Sequence, residues 1–382
     1  MRQHTRVSNF IRKQGSHIPD GGQMKLLTHA ETRRVASLRK KSKPMKALQF
    51  TGNKTFDLQD VDIQRPAQGE VRLKVAYCGV CGTDVHIYHG AMAQRLSLPQ
   101  VIGHEVSAEI DTVGEGVSGW QPGDRVTVRP LKPGQEMPVD NGVQHIGQNL
   151  KFIGIDTPGG MQQYWNVPAR TLHRLPDNLP LTIGAMIEPL AVACHDVRLG
   201  EVKAGENVVI IGGGPIGMLI ALVARQKGAN VLISEVNETR LQLADSMGLA
   251  TVNPKGTDLL AHVEDFTDGA MADVVFEVSG VQAGVTTMTQ LPRVRGRIVM
   301  VAIHAEPKAV DLFRFFWREL KLIGARVYEP EDFDEAIALA ASGTLQLDAL
   351  ITQISPLADA KSVFETIDNN PAGMKYLLQC DV

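Results

Sequence analysis

The chain has 382 residues, 43% of them apolar and 21% charged, the proportions of an ordinary globular protein long enough for two domains. Its net charge of −3 averages a basic stretch, residues 1–44 with eleven Lys/Arg and two acids, and an acidic remainder with 28 bases and 40 acids. The acidic remainder argues against a nucleic-acid footprint, and four cysteines make no disulfide framework, so a reducing, cytoplasmic setting is expected.

Two segments bear on targeting. Residues 1–44 lack the apolar core of a secretory signal, and because the first strand pattern begins at Met45 we predict a disordered extension. An organellar transit peptide and a basic anchor to nucleic acid or a membrane surface are the alternatives. The most apolar run, Val208–Ala224, is too short for a membrane span and contains four glycines and a proline, so no membrane segment is predicted.

The pattern of strands and helices predicts an α/β protein with two domains. In residues 45–198, short β-type runs alternate with turns rich in Gly, Pro and Asp, which is typical of a small, mostly antiparallel barrel. In residues 199–327, strands alternate with helices, which predicts a doubly wound parallel sheet. Its expected strands are Val208–Gly212, Val231–Glu235, Ala272–Gly280, Arg297–Ile303 and Leu320–Val327. Residues 328–382 hold a helix and mixed segments that we expect to return to the first domain.

One cysteine-containing motif suggests a metal site or a redox pair. The sequence YCGVCGTDVH places Cys78 and Cys81 at the spacing of a metal knuckle or a redox pair. His104 and Glu105 follow a little over twenty residues later, and Glu188 lies far along the chain. A cysteine, a histidine and carboxylates are the ligand types of a catalytic zinc, which keeps one coordination position open. Spacing alone does not show that they meet, since a lone histidine after a glycine is usually structural.

A glycine-rich turn predicts the dinucleotide site. A buried strand ends in this turn, which runs directly into a helix through Gly212, Gly214, Pro215, Ile216 and Gly217. Such a turn brings backbone amides and the positive end of a helix close to a pyrophosphate. Glu235 lies 18 residues after Gly217, where a carboxylate grips the ribose hydroxyls and repels a 2′-phosphate, so we predict NAD rather than NADP. Arg240 can soften that preference, lie alongside the adenine or occupy a solvated helix face.

Together these motifs resemble the zinc-dependent medium-chain dehydrogenase/reductases, in the branch of the sorbitol and butanediol dehydrogenases. The resemblance runs from Met45 to the C-terminus and rests on CGVCGTDVH, GHEVSAEIDTVGEGV, GDRV, IEPLAVACH and VVIIGGGPIG. Ala108 departs from it, because the family usually has glycine there. The resemblance implies a GroES-like, mostly-β catalytic domain, a Rossmann domain, a small alcohol substrate, and a homodimer or homotetramer.

The resemblance also implies the metal ligands. It assigns Cys81 and His104 to the zinc, and it makes Glu105 and Glu188 the carboxylates that complete the metal shell, one of them or both in exchange. Glu188 stands where many simple alcohol dehydrogenases have cysteine, which points to the polyol branch. Cys78 is then a strand residue and not half of a pair.

The second zinc of the family is not expected here. Most members bind a structural zinc through four closely spaced cysteines shortly after GDRV, but the corresponding region of this chain, residues 129–154, contains no cysteine. His145 and a few acids cannot replace four thiolates. We therefore predict one catalytic zinc per chain and no structural zinc.

The resemblance implies a proton path as well. Zinc polarises the alcohol oxygen, and the hydride passes to the nicotinamide. Thr83 relays the alcohol proton toward the cofactor ribose, and His86 passes it to solvent. Without the resemblance, Thr83 reads as a helix cap and His86 as a surface histidine. Asp84 is expected to cap the turn or to orient a ligand.

The predicted reaction is NAD-dependent oxidation of a secondary alcohol, which would be a polyol, a vicinal diol or a sugar acid. Tyr88 and Arg326 are the candidate substrate contacts, and a simple ion pair is the alternative for Arg326. An L-threonine 3-dehydrogenase-like activity uses nearly the same metal ligands. A non-catalytic dinucleotide-binding regulator would not need a complete metal site.

Overall fold

A computed structural model describes residues 44–381, so the extension predicted for residues 1–44 lies outside the described residues except at its last position. That position, Pro44, already belongs to the first strand. None of the helices between residues 44 and 381 combines the length and the apolar content needed to cross a membrane.

The first part of the chain is built from short strands. In chain order they are β1 (Pro44–Gly52), β2 (Thr55–Asp62), β3 (Glu70–Val80), β4 (Gln100–Val101), β5 (Glu105–Val113), β6 (Arg125–Val128), β7 (Leu131–Lys132), β8 (Lys151–Phe152), β9 (Tyr164–Pro168) and β10 (Leu172–Arg174). Its helices are α1 (Gly82–Tyr88), α2 (Leu181–Gly184) and α3 (Ile187–Leu199). The strands form a mostly antiparallel β-domain, as the turn-punctuated sequence predicts.

The second part alternates strands and helices. Its strands are β11 (Asn207–Ile211), β12 (Asn230–Ser234), β13 (Ala250–Val252), β14 (Ala272–Glu277), β15 (Pro292–Met300) and β16 (Lys321–Gly324). Its helices are α4 (Pro215–Gln226), α5 (Glu238–Ser246), α6 (Leu259–Phe266), α7 (Gln282–Met288) and α8 (Leu312–Arg318). All six strands are parallel, in the order β13-β12-β11-β14-β15-β16, which confirms the doubly wound fold.

The boundaries of two expected strands shift. β15 begins at Pro292, five residues earlier than the apolar run suggests, and β16 ends at Gly324, before the predicted Val327. Arg326 therefore lies beyond the strand and not at its end. The helices begin where the sequence offers a suitable residue: Pro215 occupies the first turn of α4, and the side chains of Asn237 and Asp258 accept backbone hydrogen bonds at the starts of α5 and α6.

The last segment contributes α9 (Pro330–Ala341), β17 (Ile351–Pro356), α10 (Ala360–Asn369) and β18 (Lys375–Gln379). β18 pairs antiparallel with β3 in the large sheet of the first part, whose order is β10-β6-β5-β3-β18-β17. The interiors of these strands are apolar, with Val71, Leu73 and Val75 of β3 fully buried. This pairing places residues from the two ends of the chain side by side, and the candidate site lies at that place.

Candidate active site

The end of β3 positions Cys81. The residue lies between β3 and α1 in an extended conformation, and its backbone N–H donates to Asp84 Oδ2 at 2.9 Å. Asp84 thus closes the first turn of the helix, as the sequence suggests. Cys81 is half-buried, and its Sγ lies within 4.8 Å of a ligand atom of His104. It is available as a ligand.

The start of β5 positions His104 and Glu105. Strands β3 and β5 are antiparallel with Gly79 opposite Glu105, so the end of one strand meets the beginning of the other. Gly103 has φ +97°, and a Cβ there would lie 2.6 Å from Cys78 Sγ, so only glycine fits this tight approach. One ligand atom each from Cys81, His104 and Glu105 lies within 4.8 Å of the others.

His104 faces a buried carboxylate. Its Nδ1 lies 3.7 Å from Asp84 Oδ1, and neither atom has a hydrogen-bond partner among the described residues. Burial raises the pKa of Asp84 to about 6, and the nearby His104 counteracts part of that rise. A histidine whose Nδ1 faces a carboxylate keeps Nε2 free for a metal. The donor set of sulfur, nitrogen and oxygen, together with these unsatisfied atoms, fits a zinc ion.

Lys375, which sequence reasoning missed, holds Glu105. Its Nζ lies 2.7 and 2.8 Å from the two oxygens of Glu105, and both side chains are buried. Burial lowers the pKa of Lys375, but Glu105, Cys81 and Glu188 together raise it above its usual value, so the lysine stays charged. The sequence signal that could have identified it is a lysine between the apolar residues Met374 and Tyr376, at the start of β18.

Glu188 is the second carboxylate. It lies in the first turn of α3, is buried, and accepts a hydrogen bond of 2.7 Å from the hydroxyl of Tyr328. Burial raises its pKa to about 7, His104 lowers it, and Glu105 raises it further. Glu188 is therefore close to the cluster but outside the group of three whose ligand atoms lie within 4.8 Å.

The predicted relay residues share one helix. Thr83 is half-buried and His86 is exposed, three residues later on α1. Residues three apart lie on the same face of a helix, so the two side chains are neighbours on α1. The structure places both residues on α1 and shows no proton route between them.

The two candidate substrate contacts find no support. The ring of Tyr88 is 3% exposed and packs against Phe56 and Phe364, with centroids at 5.8 and 5.1 Å, so Tyr88 is a packing residue. Arg326 is exposed and makes no ion pair within residues 44–381. The predicted substrate contact of Tyr88 is thus corrected to a packing role, and no ion pair holds Arg326 among residues 44–381.

The cofactor loop has the expected geometry. A Cβ on Gly217 would lie 1.9 Å from the carbonyl oxygen of Gly212, so the helix can approach the strand only with glycine there. Glu235 follows β12 and accepts hydrogen bonds from the backbone N–H groups of Gly213, Val236 and Asn237 at 2.7–2.8 Å. A guanidinium nitrogen of Arg240 lies 3.8 Å from Glu235 Oε2. The loop and its carboxylate therefore form one unit.

A second acidic cluster is an ion-pair network and not a metal site. His195, Glu329 and Asp332 have ligand atoms close together, but the guanidinium of Arg198 lies among them. It donates to Asp332 and Glu329 at 2.7–2.9 Å. An arginine so placed excludes a cation, and the network instead joins α3 to α9.

Comparison with known proteins agrees with this geometry. Residues 67–177 match the alcohol dehydrogenase GroES-like domain, and residues 215–342 match the zinc-binding dehydrogenase domain. The 2-dehydro-3-deoxy-L-galactonate 5-dehydrogenase of Pseudoalteromonas atlantica is 55% identical over 88% of this chain and 99% of its own.

Two solved structures are similar over the same region. The 2R,3R-butanediol dehydrogenase of Bacillus subtilis has a TM-score of 0.81 at 30% identity and covers 88% of this chain and 99% of its own. A protein from Sinorhizobium meliloti 1021, described as a zinc-binding dehydrogenase and solved with NADP, has a TM-score of 0.81 at 31% identity with the same coverage. The similarity thus extends over both the β-domain and the parallel sheet.

Proposed function

The chain belongs to the zinc-dependent medium-chain alcohol dehydrogenase family and is an oxidoreductase, and from this premise we propose that it oxidises a secondary hydroxyl of a sugar acid with NAD. The 55% identity to a dehydrogenase of a deoxy sugar acid favours this substrate within the broader class of polyols and vicinal diols. An L-threonine 3-dehydrogenase-like activity remains the second candidate, because the same metal ligands serve it.

The observation that carries the proposal is the meeting of Cys81, His104 and Glu105 at the ends of β3 and β5, with Glu188 beside them. A regulator that only binds a dinucleotide has no need to bury two carboxylates around a histidine, because burying charge is costly. We propose Cys81 and His104 as fixed ligands of one zinc and the two carboxylates as the remaining oxygen donors.

The residues divide the work of hydride transfer. A bound zinc supplies Lewis acidity to the alcohol oxygen. Asp84 fixes the ring of His104, and Lys375 and Tyr328 fix the two carboxylates. The hydroxyl of Thr83 takes up the alcohol proton as it releases its own, and His86 passes a proton on to solvent. The amides of the Gly212–Gly217 turn hold the pyrophosphate, which positions the nicotinamide for the hydride.

Metal analysis is expected to give about one zinc per chain, because the region after GDRV has no cysteine from which to build a second site. Removing the zinc with a chelator should abolish NADH formation, and adding back one equivalent should restore it. The assay panel is 2-dehydro-3-deoxy-L-galactonate, sorbitol, 2R,3R-butanediol and L-threonine.

A stoichiometry near two would contradict the single-zinc proposal. Turnover that survives complete removal of the metal would contradict the zinc mechanism itself. If no alcohol in the panel or in a wider set of polyols reduces NAD, the dehydrogenase proposal fails and the regulator becomes the better explanation.

The carboxylate of Glu235 is expected to make the enzyme prefer NAD to NADP by at least about tenfold in kcat/KM, because like charges brought together cost several kcal/mol. Glu235→Ser should reduce the ratio of kcat/KM for NAD to kcat/KM for NADP, mainly by lowering the KM for NADP. Glu238→Ser, which removes an exposed acid three residues later, is the matched control and should leave the ratio unchanged. Equal kcat/KM values for the two cofactors in the unaltered enzyme would refute the assignment.

Copies of this chain are proposed to associate through the edge of the parallel sheet. β16 is the last strand in that sheet, so one of its sides has no partner strand among residues 44–381. Beside it in sequence, α8 exposes Phe313, Phe316 and Trp317, with 62, 78 and 68% of their surfaces open. An apolar surface next to an open strand edge suits a second copy, in a dimer or tetramer.

A further inference from the structure

Arg129 is a half-buried cation without an ion-pair partner in the part of the chain that the structure describes. Its Nε is buried and lacks a hydrogen-bond partner, and its guanidinium makes no ion pair within 4 Å among residues 44–381. Burial lowers the pKa of Arg129, and Glu331 and Asp334 raise it only from beyond ion-pair distance. Asp334 already pairs with His173 at 3.0 Å. Because an arginine keeps its proton, this positive charge stays without an ion-pair partner within residues 44–381.

The sheet places Arg129 at the level of the metal cluster. Strands β5 and β6 are antiparallel with Ser107 opposite Thr127 and Ala108 opposite Val126. Continuing that register by two residues sets Arg129 level with Glu105, which is the neighbour of His104. The backbone is fixed at this point, since Arg129 N donates to the carbonyl of Thr171 at 2.7 Å.

A second path links Arg129 to the same place. Burial raises the pKa of the Tyr328 hydroxyl, and the charge of Arg129 counteracts part of that rise, so Arg129 acts electrostatically on this hydroxyl. The same hydroxyl donates to Glu188, whose carboxylate interacts with His104. Arg129 thus acts on a buried tyrosine that is hydrogen-bonded to Glu188, and no such link exists for the exposed Arg326 among residues 44–381.

We propose that Arg129 binds the carboxylate of a sugar-acid substrate and so makes the enzyme select acids over neutral polyols. This inference rests on the proposed dehydrogenase function and names the group of the substrate that is recognised. A guanidinium is suited to a carboxylate because it presents two parallel N–H donors, and such charged hydrogen bonds are roughly twice as strong as neutral ones. The residue would act in binding and not in the hydride step.

The test compares Arg129→Gln with the unaltered enzyme on 2-dehydro-3-deoxy-L-galactonate and 2R,3R-butanediol. We expect the KM for the acid to rise about 10- to 100-fold with kcat nearly unchanged, the range that follows from losing hydrogen bonds to a charged group. Turnover of the diol should not change. Arg129→Lys keeps the charge and should recover part of the lost affinity for the acid. Arg170→Gln removes a neighbouring exposed cation and should leave the KM and kcat for both substrates unchanged.

Each outcome separates the inference from the function on which it rests. If Arg129→Gln lowers kcat/KM equally for the acid and the diol, or lowers kcat alone, Arg129 supports the fold and the inference is wrong. An unaltered enzyme that oxidises neutral alcohols but no acid would also overturn it, while leaving the dehydrogenase proposal intact. If the diol is not a substrate, the inference is tested on the acid alone. A raised KM with unchanged kcat in Arg129→Gln, and a partly restored KM in Arg129→Lys, support it, and any other result contradicts it.

Discussion

Cys81→Ser is expected to lower kcat/KM about a thousandfold for every alcohol that the enzyme oxidises. Serine has a hydroxyl that stays protonated where a cysteine supplies a thiolate, so the zinc would lose a strong ligand. Lewis-acid stabilisation contributes several kcal/mol, and each 1.4 kcal/mol corresponds to about tenfold in rate. The measurement is kcat/KM together with the zinc content of the purified variant, which should fall well below one per chain.

Cys78→Ser is the matched control. Cys78 is fully buried on β3, opposite Leu378 of β18, and its Sγ packs beside Gly103, the residue before His104. Burying a hydroxyl in its place should cost about 1–3 kcal/mol of stability but leave most of the activity and the zinc content. The melting temperature of both variants should be recorded, so that lost activity is not confused with lost fold.

Two results would contradict this division. Equal loss of zinc in both variants would mean that the cysteines act as a pair. Full activity in Cys81→Ser would mean that Cys81 is not a zinc ligand, even though its Sγ lies close to His104. The burial of Cys78 and the partial exposure of Cys81 favour the division into one structural and one functional cysteine.

The sequence predicts those parts of the site that lie in short, continuous motifs. Cys81 and the Gly212–Gly217 turn each combine residue types and local structure within about ten positions, so both a candidate ligand and a candidate cofactor loop can be proposed without coordinates. The parallel sheet is predicted for the same reason, since each strand is a separate apolar run. Strand ends are less certain, as β15 and β16 show, because pairing with a neighbour lengthens or shortens an apolar run.

The parts that the sequence does not predict are contacts between distant segments. Lys375 reaches Glu105 across 270 positions, and Tyr328 reaches Glu188 across 140. Arg129 attracts attention only because the described structure gives it no partner. Such contacts depend on strand order and register, which no local pattern contains. The prediction for Tyr88 shows the opposite case. Its position close to the cysteine motif suggested a substrate contact, but its packing against Phe56 and Phe364 gives it a structural role.

Lys375→Met is expected to destabilise the protein by about 3–5 kcal/mol, because it leaves Glu105 as a buried charge without its partner. Methionine has nearly the volume of lysine, so a cavity contributes little. The free energy of unfolding should be measured in urea, with zinc bound and with zinc removed. Lys74→Met on β3 is the control: it removes an exposed lysine and should change stability by less than about 0.5 kcal/mol.

The double variant Glu105→Gln with Lys375→Met identifies the cause. If the cost comes from the unpaired carboxylate, removing that charge should restore much of the lost stability, since replacing both members of a buried pair is often close to neutral. The double variant should nevertheless bind zinc more weakly, because Glu105 belongs to the cluster with Cys81 and His104. A single variant as stable as the unaltered protein would mean that Glu105 does not depend on Lys375 for its charge. Stability recovered together with full zinc affinity would instead leave Glu188 as the carboxylate that the metal requires.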